Sequence, residues 1–442
     1  MTRLFGTDGV RGVANRDLTP DLALALGRAA GLVLAPHGGR VVVGRDTRLS
    51  GPMLEGALTA GLCSAGAQVL SAGIIPTPGV AWLTREDGAA AGAVISASHN
   101  PVPDNGIKFF SGVGSKISGD EEVAIEGLLA ETPGDLPAGE EIGGVTVVED
   151  AAERYVEHLA GSIAGSVGGL RIVLDCAFGA AYEVGPRAFR RAGAEVVALH
   201  DAPDGARINV DSGSTSLDTL AKTVVAEGAA FGLGFDGDAD RVLAVDETGG
   251  VVDGDRIIAL AALHLKERGE LDGGIVVTTV MANLGFRRAL EAAGIRVVTV
   301  PVGDRYVAEA MTEHGAVVGG EQSGHVIFAK HATTGDGVLT GLKLAEIVAA
   351  ADRPLSELGA VFEPYPQVLV NVRIENKSAL EDAEDVWAKV KESEAELGEG
   401  GRVLLRASGT EPLVRVMVEA RDRSEAERIA QELAAVVEDA LA

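Results

Sequence analysis

The chain has 442 residues and a formal net charge of −27, with 65 acidic against 38 basic residues. So acidic a surface repels nucleic acid and anionic membrane, so neither is an expected partner, and an anionic substrate would need a locally basic site. Hydrophobic residues make up 46% and aromatics 4%, a core-forming composition rich in small side chains whose length predicts about two to four domains.

The opening stretch MTRLFGTDGV has no apolar segment of the kind a signal peptide needs, and FGTDGVRG sets Arg11 in a glycine-rich loop. The next apolar run, LALALGRAAGLVLAP, is broken by Arg28 and falls short of membrane length. From Arg40, RVVVGRDTRLSGPMLEGALTAGLCSAGAQVLSAGI reads as a β-branched strand, a polar loop carrying Arg45 and Arg48, an amphipathic helix, a capping glycine (Gly66) and a second strand. ISASHNPVPDNGIKFF, Ile95 to Phe110, follows: an apolar run delivers Ser98 into two successive turn signals, and Lys108 stands beside two aromatics. Most such serines only bond their own loop. A Ser-His-Asp hydrolase is not expected, because there is no G-x-S-x-G elbow and the neighbouring side chains of Ser98 and His99 should not face one another.

ETPGDLPAGEEIGG, Glu131 to Gly144, marks the first boundary. The strand–helix–strand pattern then returns twice. It starts at Leu170 (LRIVLDCAFGAAYEVGPRAFRRAGAEVVALHD, with Gly193) and at Gly273 (GGIVVTTVMANLGFRRALEAAGIRVVTVPVG, with Gly294). Right-handed crossovers between parallel strands are the default for such units, and three of them imply three related α/β domains. The two cysteines, Cys63 and Cys176, lie in apolar surroundings with no ligand spacing. No disulfide framework is expected, and a reducing cytoplasm is the simplest setting.

Between the second and third units lies GLGFDGDADRVLAV, Gly232 to Val245. Its G-x-G-x-x-G would be a dinucleotide fingerprint only if a helix followed and no aspartates faced the pyrophosphate; neither holds. An EF-hand fails at position 6, where Arg241 replaces the glycine that the turn needs. What remains is a short inter-strand loop with Asp236, Asp238 and Asp240 at alternate positions. Extended chain would point all three the same way, so they could converge on a hard cation such as Mg²⁺. A solvated acidic turn is the plain alternative. The second boundary falls near ETGGVVDGD, Glu247 to Asp255; Arg305 follows in PVGDRY. GGEQSGH then sets Glu321, Ser323 and His325 at alternate positions, expected on one side and suited to sugar hydroxyls or an amine.

From Gln367 the tail reads strand, helix, strand pair and final helix, a small α+β domain. RASGTEP lies between the paired strands, where Arg406, Ser408, Gly409 and Thr410 offer a guanidinium, hydroxyls and backbone N–H groups as a phosphate cradle would. The last helix is expected to open on a Ser424–Glu427 capping box and to bury Ala426, Ile429, Leu433, Val436 and Ala440. The expected domains are 1–150, 151–253, 254–364 and 365–442.

Together SASHNP, DGDADR, GEQSGH and RASGTEP, one per expected domain and in this order, resemble the α-D-phosphohexomutase family over nearly the whole chain. FGTDGVRG, ISASHNP, NGIKFF, VGDRY and GGEQSGH are similar to the forms of its amino-sugar branch. The resemblance implies three α/β domains with mixed and parallel sheets plus a C-terminal α+β domain, set around a central cleft. It implies that Ser98 is carried as a phosphoserine, set by a kinase or by autophosphorylation. Ser98 would exchange phosphoryl groups with a phosphorylated amino sugar through a bound glucosamine 1,6-bisphosphate. One Mg²⁺ per chain would be held by Asp236, Asp238, Asp240 and an oxygen on Ser98. Lys108 and Arg11 become the candidates for acid–base and charge-stabilising roles. Glu321, Ser323 and His325 would read the sugar, Arg406, Ser408, Gly409 and Thr410 would hold the unreacting phosphate, and His99, Arg241 and Arg305 would support them. A homodimer is compatible with this reading. A mutase acting on mannose or glucose phosphates, a non-catalytic sugar-phosphate sensor and a metal-dependent phosphatase remain alternatives. Ala239 stands where glycine is commoner (DGDGDR), and the loss of backbone freedom there is expected to matter little.

Overall fold

The computed structural model describes residues 4–6, 8–129, 134–374, 377–407 and 413–441. Four sheets follow one another along the chain. The first contains β1 (Val10–Val13), β2 (Arg40–Arg45), β3 (Gln68–Ile74), β4 (Ala91–Ile95), β5 (Asp104–Ser111) and β6 (Val145–Val147), in the order β1-β5-β4-β2-β3-β6. The second contains β7 (Arg171–Asp175), β8 (Glu195–Leu199), β9 (Phe231–Phe235), β10 (Val242–Asp246) and β11 (Val251–Val252), ordered β11-β10-β9-β7-β8. The third, β13-β12-β14-β15, is built from β12 (Ile275–Thr279), β13 (Arg296–Val300), β14 (Val318–Gly320) and β15 (Val326–Phe328). The last is antiparallel, β16 (Gln367–Arg373), β18 (Leu413–Ala420) and β17 (Gly401–Ala407) in that order.

The three strand–helix–strand segments pair in parallel as expected: β2 with β3, β7 with β8, β12 with β13. Each helix between them ends two residues before a left-handed glycine, Gly66 (φ 88°), Gly193 (φ 103°) or Gly294 (φ 71°), the backbone that releases the chain toward the next strand at no Cβ cost. In each unit a third parallel strand (β4, β9, β14) lies on the other side of the first and turns back into an antiparallel partner (β5, β10, β15). Three of the four sequence motifs occupy this one topological position, the turn between the third and fourth strands.

One buried apolar cluster runs through the first three units, joining Val42, Tyr155, Phe189, Phe235, Phe286 and Phe362. The C-terminal sheet keeps its own core around Val386, Val414, Val416 and Ile429. It docks on the third unit through polar groups. Arg402 donates to the carbonyls of Val280 (3.0 Å) and Ala282 (2.6 Å), and the buried Glu419 accepts from Leu284 N (3.2 Å).

Two expectations about the tail are corrected. The final helix spans Arg423–Leu441, and its capping oxygen belongs to Asp422, which accepts from Ser424 N (2.9 Å) and Glu425 N (3.2 Å). A carboxylate placed one residue before the helix reaches those N–H groups better than a hydroxyl already inside it. Its buried stripe continues from Leu433 to Val437 and Leu441 rather than to Val436 and Ala440, since steps of four follow the face that meets the sheet.

Candidate active site

β4 is buried along its whole length and delivers the chain to Ser98, which is 1% exposed. Ser98 adopts φ 53°, a left-handed backbone that is costly for a residue with a Cβ. Its Oγ donates to Asp236 Oδ2 at 2.6 Å and lies 3.2 Å from His99 Nδ1. The two adjacent side chains therefore do meet, contrary to expectation, because the left-handed turn swings them together. Burial, with Arg241 and Arg11 nearby, pushes the His99 imidazole down to about 4, so this ring is neutral at ordinary pH.

The loop between β9 and β10 brings Asp236, Asp238 and Asp240 so close that ligand oxygens from all three lie within 4.8 Å of one another. The convergence does not come from extended chain. The loop is a turn, with Ala239 at φ 56°, and this turn gathers the carboxylates. The left-handed backbone also corrects the expectation for Ala239: a methyl there costs on the order of 1–2 kcal/mol, which a glycine would avoid. Gly237 is required for another reason, since a Cβ on it would stand 2.7 Å from the Ser98 carbonyl oxygen. The serine loop and the aspartate loop thus pack backbone to backbone.

The electrostatics of the cluster are divided. Burial, then Asp240 and Asp238, push the Asp236 carboxyl well above its ordinary value against Arg241 and Ser98. Burial acts the same way on Asp238, but the Lys108 ammonium and the Thr77 hydroxyl (2.5 Å) outweigh it and hold Asp238 at about 2. Lys108 rises from β5 and is 1% exposed. Its Nζ lies 3.0 Å from Asp238, 3.2 Å from Asp8 and 3.6 Å from Asp240. Burial disfavours its charge, yet these carboxylates raise its pKa above the usual lysine value. One oxygen each of Asp238 and Asp240, both Oδ1, is buried without a hydrogen-bond partner. Buried carboxylate oxygens left over in this way are costly. A hard cation would satisfy them, so an all-oxygen donor set of this kind fits Mg²⁺.

Arg11, on β1, donates to Asn100 Oδ1 (3.2 Å) and pairs with Asp8. Arg241 N donates to Asp236 Oδ1 at 3.2 Å. Arg45 and Arg48, noted in the sequence for their basic charge, do not face the site as anion ligands: Arg45 pairs with Glu55 (2.8 Å), and Arg48 is enclosed within the serine loop.

In the third unit, Glu321 is 9% exposed and accepts from Gly303 N at 3.3 Å. His325 is 1% exposed, with Nε2 accepting from Gly335 N at 3.1 Å, and Ser323 is exposed. Glu321 and His325 therefore both lie against the 303–304 segment, while Ser323 stands exposed on the turn between them. Residues 322–324 form a turn, which breaks the period-two alternation and commits His325 to bracing the loop. Arg305 opens the helix Asp304–His314 and pairs with Glu122 of the first unit, tying the two units together. Arg406 lies on β17 directly opposite Arg415 on β18. Burial, then Arg415, lower its pKa. Ser408, Gly409 and Thr410 lie outside the described residues.

Several participants gave little sequence signal. Lys116 pairs with Asp8 (2.5 Å) and with Asp304 (2.5 Å), and Asp304 lies 3.7 Å from His325 Nε2. Buried alternating charges therefore run from the aspartate cluster through Lys108, Asp8, Lys116 and Asp304 to the sugar-loop histidine. Asp8 stands inside FGTDGVRG, three residues before Arg11, and a carboxylate so close to that arginine was the clue. Nothing local distinguished Lys116.

The sequence matches four family models in order. They are phosphoglucomutase/phosphomannomutase alpha/beta/alpha domain I over residues 2–133, domain II over 153–250, domain III over 253–365 and the C-terminal domain over 369–436. A phosphoglucosamine mutase of Moorella thermoacetica is 56% identical over 433 residues, 97% of this chain and 98% of that protein. A phosphoglucomutase/phosphomannomutase family protein from Burkholderia thailandensis has a TM-score of 0.84 at 28% identity, with 100% of this chain and 98% of that one covered. The fold is shared with Aspergillus fumigatus N-acetylphosphoglucosamine mutase, solved in complex with GlcNAc-6P and magnesium, at a TM-score of 0.73 and 19% identity over 99% and 96% of the two chains.

Proposed function

The chain belongs to the phosphoglucomutase/phosphomannomutase family of α-D-phosphohexomutases, and from that premise we propose that it interconverts glucosamine 6-phosphate and glucosamine 1-phosphate through a phosphoserine at Ser98. It is an enzyme of the isomerase class. The observation that carries the chemistry is the Ser98 hydroxyl held 2.6 Å from Asp236, within a carboxylate cluster that has two unsatisfied oxygens and a buried lysine. The amino sugar is supported by the similarity to the Moorella enzyme.

The phosphoryl group on Ser98 passes to the free hydroxyl of the sugar phosphate. The Oγ–P bond breaks, the sugar O–P bond forms, and the proton lost by the sugar hydroxyl is balanced by one gained at Ser98 Oγ, which is left as a free hydroxyl. The bound glucosamine 1,6-bisphosphate then turns end for end, and Ser98 Oγ takes the other phosphate, losing its proton as the sugar oxygen recovers one. No phosphate is gained or lost overall. Mg²⁺ held by Asp236, Asp238, Asp240 and an oxygen of phosphoserine would supply neutralisation of the charge on the transferring group. Lys108, held as an ammonium, stabilises negative charge and can donate a proton but not accept one. Arg11 adds a second cation. Glu321 meets the sugar amine or hydroxyls, and Arg406 with the RASGTEP loop holds the phosphate at rest. A cytoplasmic setting belongs to the same proposal and is supported by the two unpaired cysteines, Cys63 and Cys176.

The test is a side-by-side assay on the 6-phosphates of glucosamine, N-acetylglucosamine, glucose and mannose, with intact mass of the enzyme. Glucosamine 6-phosphate should be turned over best and a phosphorylated fraction should map to Ser98. Ser98→Ala should lose several orders of magnitude in turnover without unfolding. Preference for another hexose would move the substrate assignment, and near-normal turnover by Ser98→Ala would remove the phosphoserine mechanism.

A further inference from the structure

GRDTR is a sequence motif that the reaction just described leaves without a task. Its Arg48 has no exposed side-chain surface, and every one of its side-chain donors is used. Nε donates to Asp46 Oδ2 (3.0 Å), Nη1 to the carbonyls of Pro101 (2.7 Å) and Asp104 (2.9 Å), and Nη2 to those of Ser98 (2.9 Å) and Asn100 (2.7 Å). Asp46 also accepts from Ser96 Oγ (2.6 Å), which in turn accepts from Ser98 N (2.9 Å). The first unit thus grips the Ser98 peptide at both its N–H and its carbonyl.

The second unit holds the same carbonyl from the other side. Asn209 Nδ2 donates to Ser98 O at 2.9 Å. Asn209 itself is at φ 61° and is anchored by its N–H to the Ala177 carbonyl (3.1 Å). This bond crosses from the unit that carries Asp236, Asp238 and Asp240 to the unit that carries Ser98. Ser98 needs restraint, because a left-handed serine is strained and would relax if its carbonyl were free. A carbonyl with both lone pairs occupied, one from each unit, cannot rotate, so the direction of Oγ and its distance to the aspartates are set together.

Resting on the phosphoserine reading above, we propose that Asn209 is a positioning residue: with Arg48 it locks the Ser98 peptide and fixes the approach of the phosphoryl-carrying oxygen to the aspartate cluster. Asn209 touches neither sugar nor cation in this assignment. Its loss should therefore lower the transfer rate without weakening sugar binding or the hold of the three aspartates on the ion in dephosphorylated enzyme.

Two variants test it. Asn209→Gly keeps the left-handed backbone and removes the amide, and Asn209→Asp keeps the shape but turns the donor into an acceptor. Four quantities are read on the full chain: kcat and KM for glucosamine 6-phosphate, the rate at which dephosphorylated enzyme gains mass on Ser98 from glucose 1,6-bisphosphate, Mn²⁺ affinity, and Tm. In both variants kcat and the phosphorylation rate should fall by about 10²-fold, the scale of a misplacement near 1 Å. KM should stay at the wild-type value, as should the Mn²⁺ affinity of dephosphorylated enzyme, where the three aspartates hold the ion without a phosphoserine oxygen; in Asn209→Gly, Tm should fall by no more than about 2–4 °C, the scale of one hydrogen bond. Wild-type rates in both variants, or a joint loss of rate, Mn²⁺ affinity and Tm as for a mere structural brace, would overturn the inference. A wild-type enzyme that fails on glucosamine 6-phosphate would defeat the substrate reading alone, and the phosphorylation rate would still decide the role of Asn209.

Discussion

Replacing Lys108 with methionine should reveal how much the buried ammonium holds the aspartate cluster together in the absence of a divalent cation. The stem volume is nearly conserved, so packing changes little. Three carboxylates, Asp238, Asp8 and Asp240, lose a cation at 3.0, 3.2 and 3.6 Å. Asp8 keeps Arg11 and Lys116, and Asp240 keeps Arg241 at 3.8 Å, so the loss falls mainly on Asp238. At an effective dielectric near 20, each such contact is worth about 5 kcal/mol before desolvation. Removing one partner of a buried pair costs a net of about 3–5 kcal/mol. In EDTA the variant should therefore melt about 10 °C lower, at roughly 2–4 °C per kcal/mol. Mg²⁺ should recover much of this, since occupancy at a hundredfold excess over Kd adds about 2.7 kcal/mol. With less competing positive charge, the variant should also respond to lower Mg²⁺ concentrations than the wild type. Thermal unfolding across a Mg²⁺ titration measures both effects. Equal melting temperatures in EDTA, or equal Mg²⁺ responses, would refute the reasoning.

Asp238→Asn should weaken Mg²⁺ binding and turnover together, read by calorimetry and by activity after EDTA treatment; full activity in EDTA would count against the carboxylate site. Glu321→Gln should reduce kcat/KM for glucosamine phosphate more than for glucose phosphate, because an ammonium loses a charge partner where a hydroxyl keeps an acceptor; equal losses would place the amino-sugar preference elsewhere. His158 stacks on Trp82 with ring centroids 4.7 Å apart and meets the His331 carbonyl at 3.1 Å, with Tyr155 alongside, and this joint should be acid-sensitive. Burial lowers His158 and takes His331 to about 4. The folded state then binds fewer protons than the unfolded between about pH 4 and the ordinary histidine value near 6.5, so stability is present above that window and is lost as pH falls through it. Asp336, which accepts from Tyr155 at 2.5 Å and is raised by burial to about 6, works in the opposite direction. His331→Gln should flatten the fall in Tm on the acid side, and an unchanged pH profile would show that the imidazole does not titrate with folding.

Much of this protein could be read without coordinates wherever the signal was periodic or local. The three strand–helix–strand units announced themselves through β-branched runs, amphipathic helices and a glycine at each helix end, because these patterns follow from burial and backbone sterics within a few residues. Asp236, Asp238, Asp240 and Ser98 stood out as polar residues at the exits of apolar strands. Pattern failed where a turn replaced extended chain. Alternation suggested that Glu321, Ser323 and His325 share a face, yet the turn at 322–324 exposes Ser323 and buries His325. Local charge gave no role at GRDTR, where Arg48 stood out only as a basic residue in a polar loop and proved to be the frame of the serine loop.

Only the tertiary structure decided which distant groups meet. Ser98 lies 138 residues from Asp236, Lys108 lies 130 from Asp238, and Asn209 lies 111 from Ser98. Topology makes these meetings possible by repeating one arrangement, so that the serine, aspartate and sugar loops each emerge from the same turn of their own sheet. Their electrostatic character also arises only there. A lysine, an asparagine or an aspartate carries no sign in the chain of whether water will be excluded from it. It is burial among opposite charges that holds Lys108 protonated, drives Asp236 and Asp238 apart, and leaves two carboxylate oxygens without a hydrogen bond.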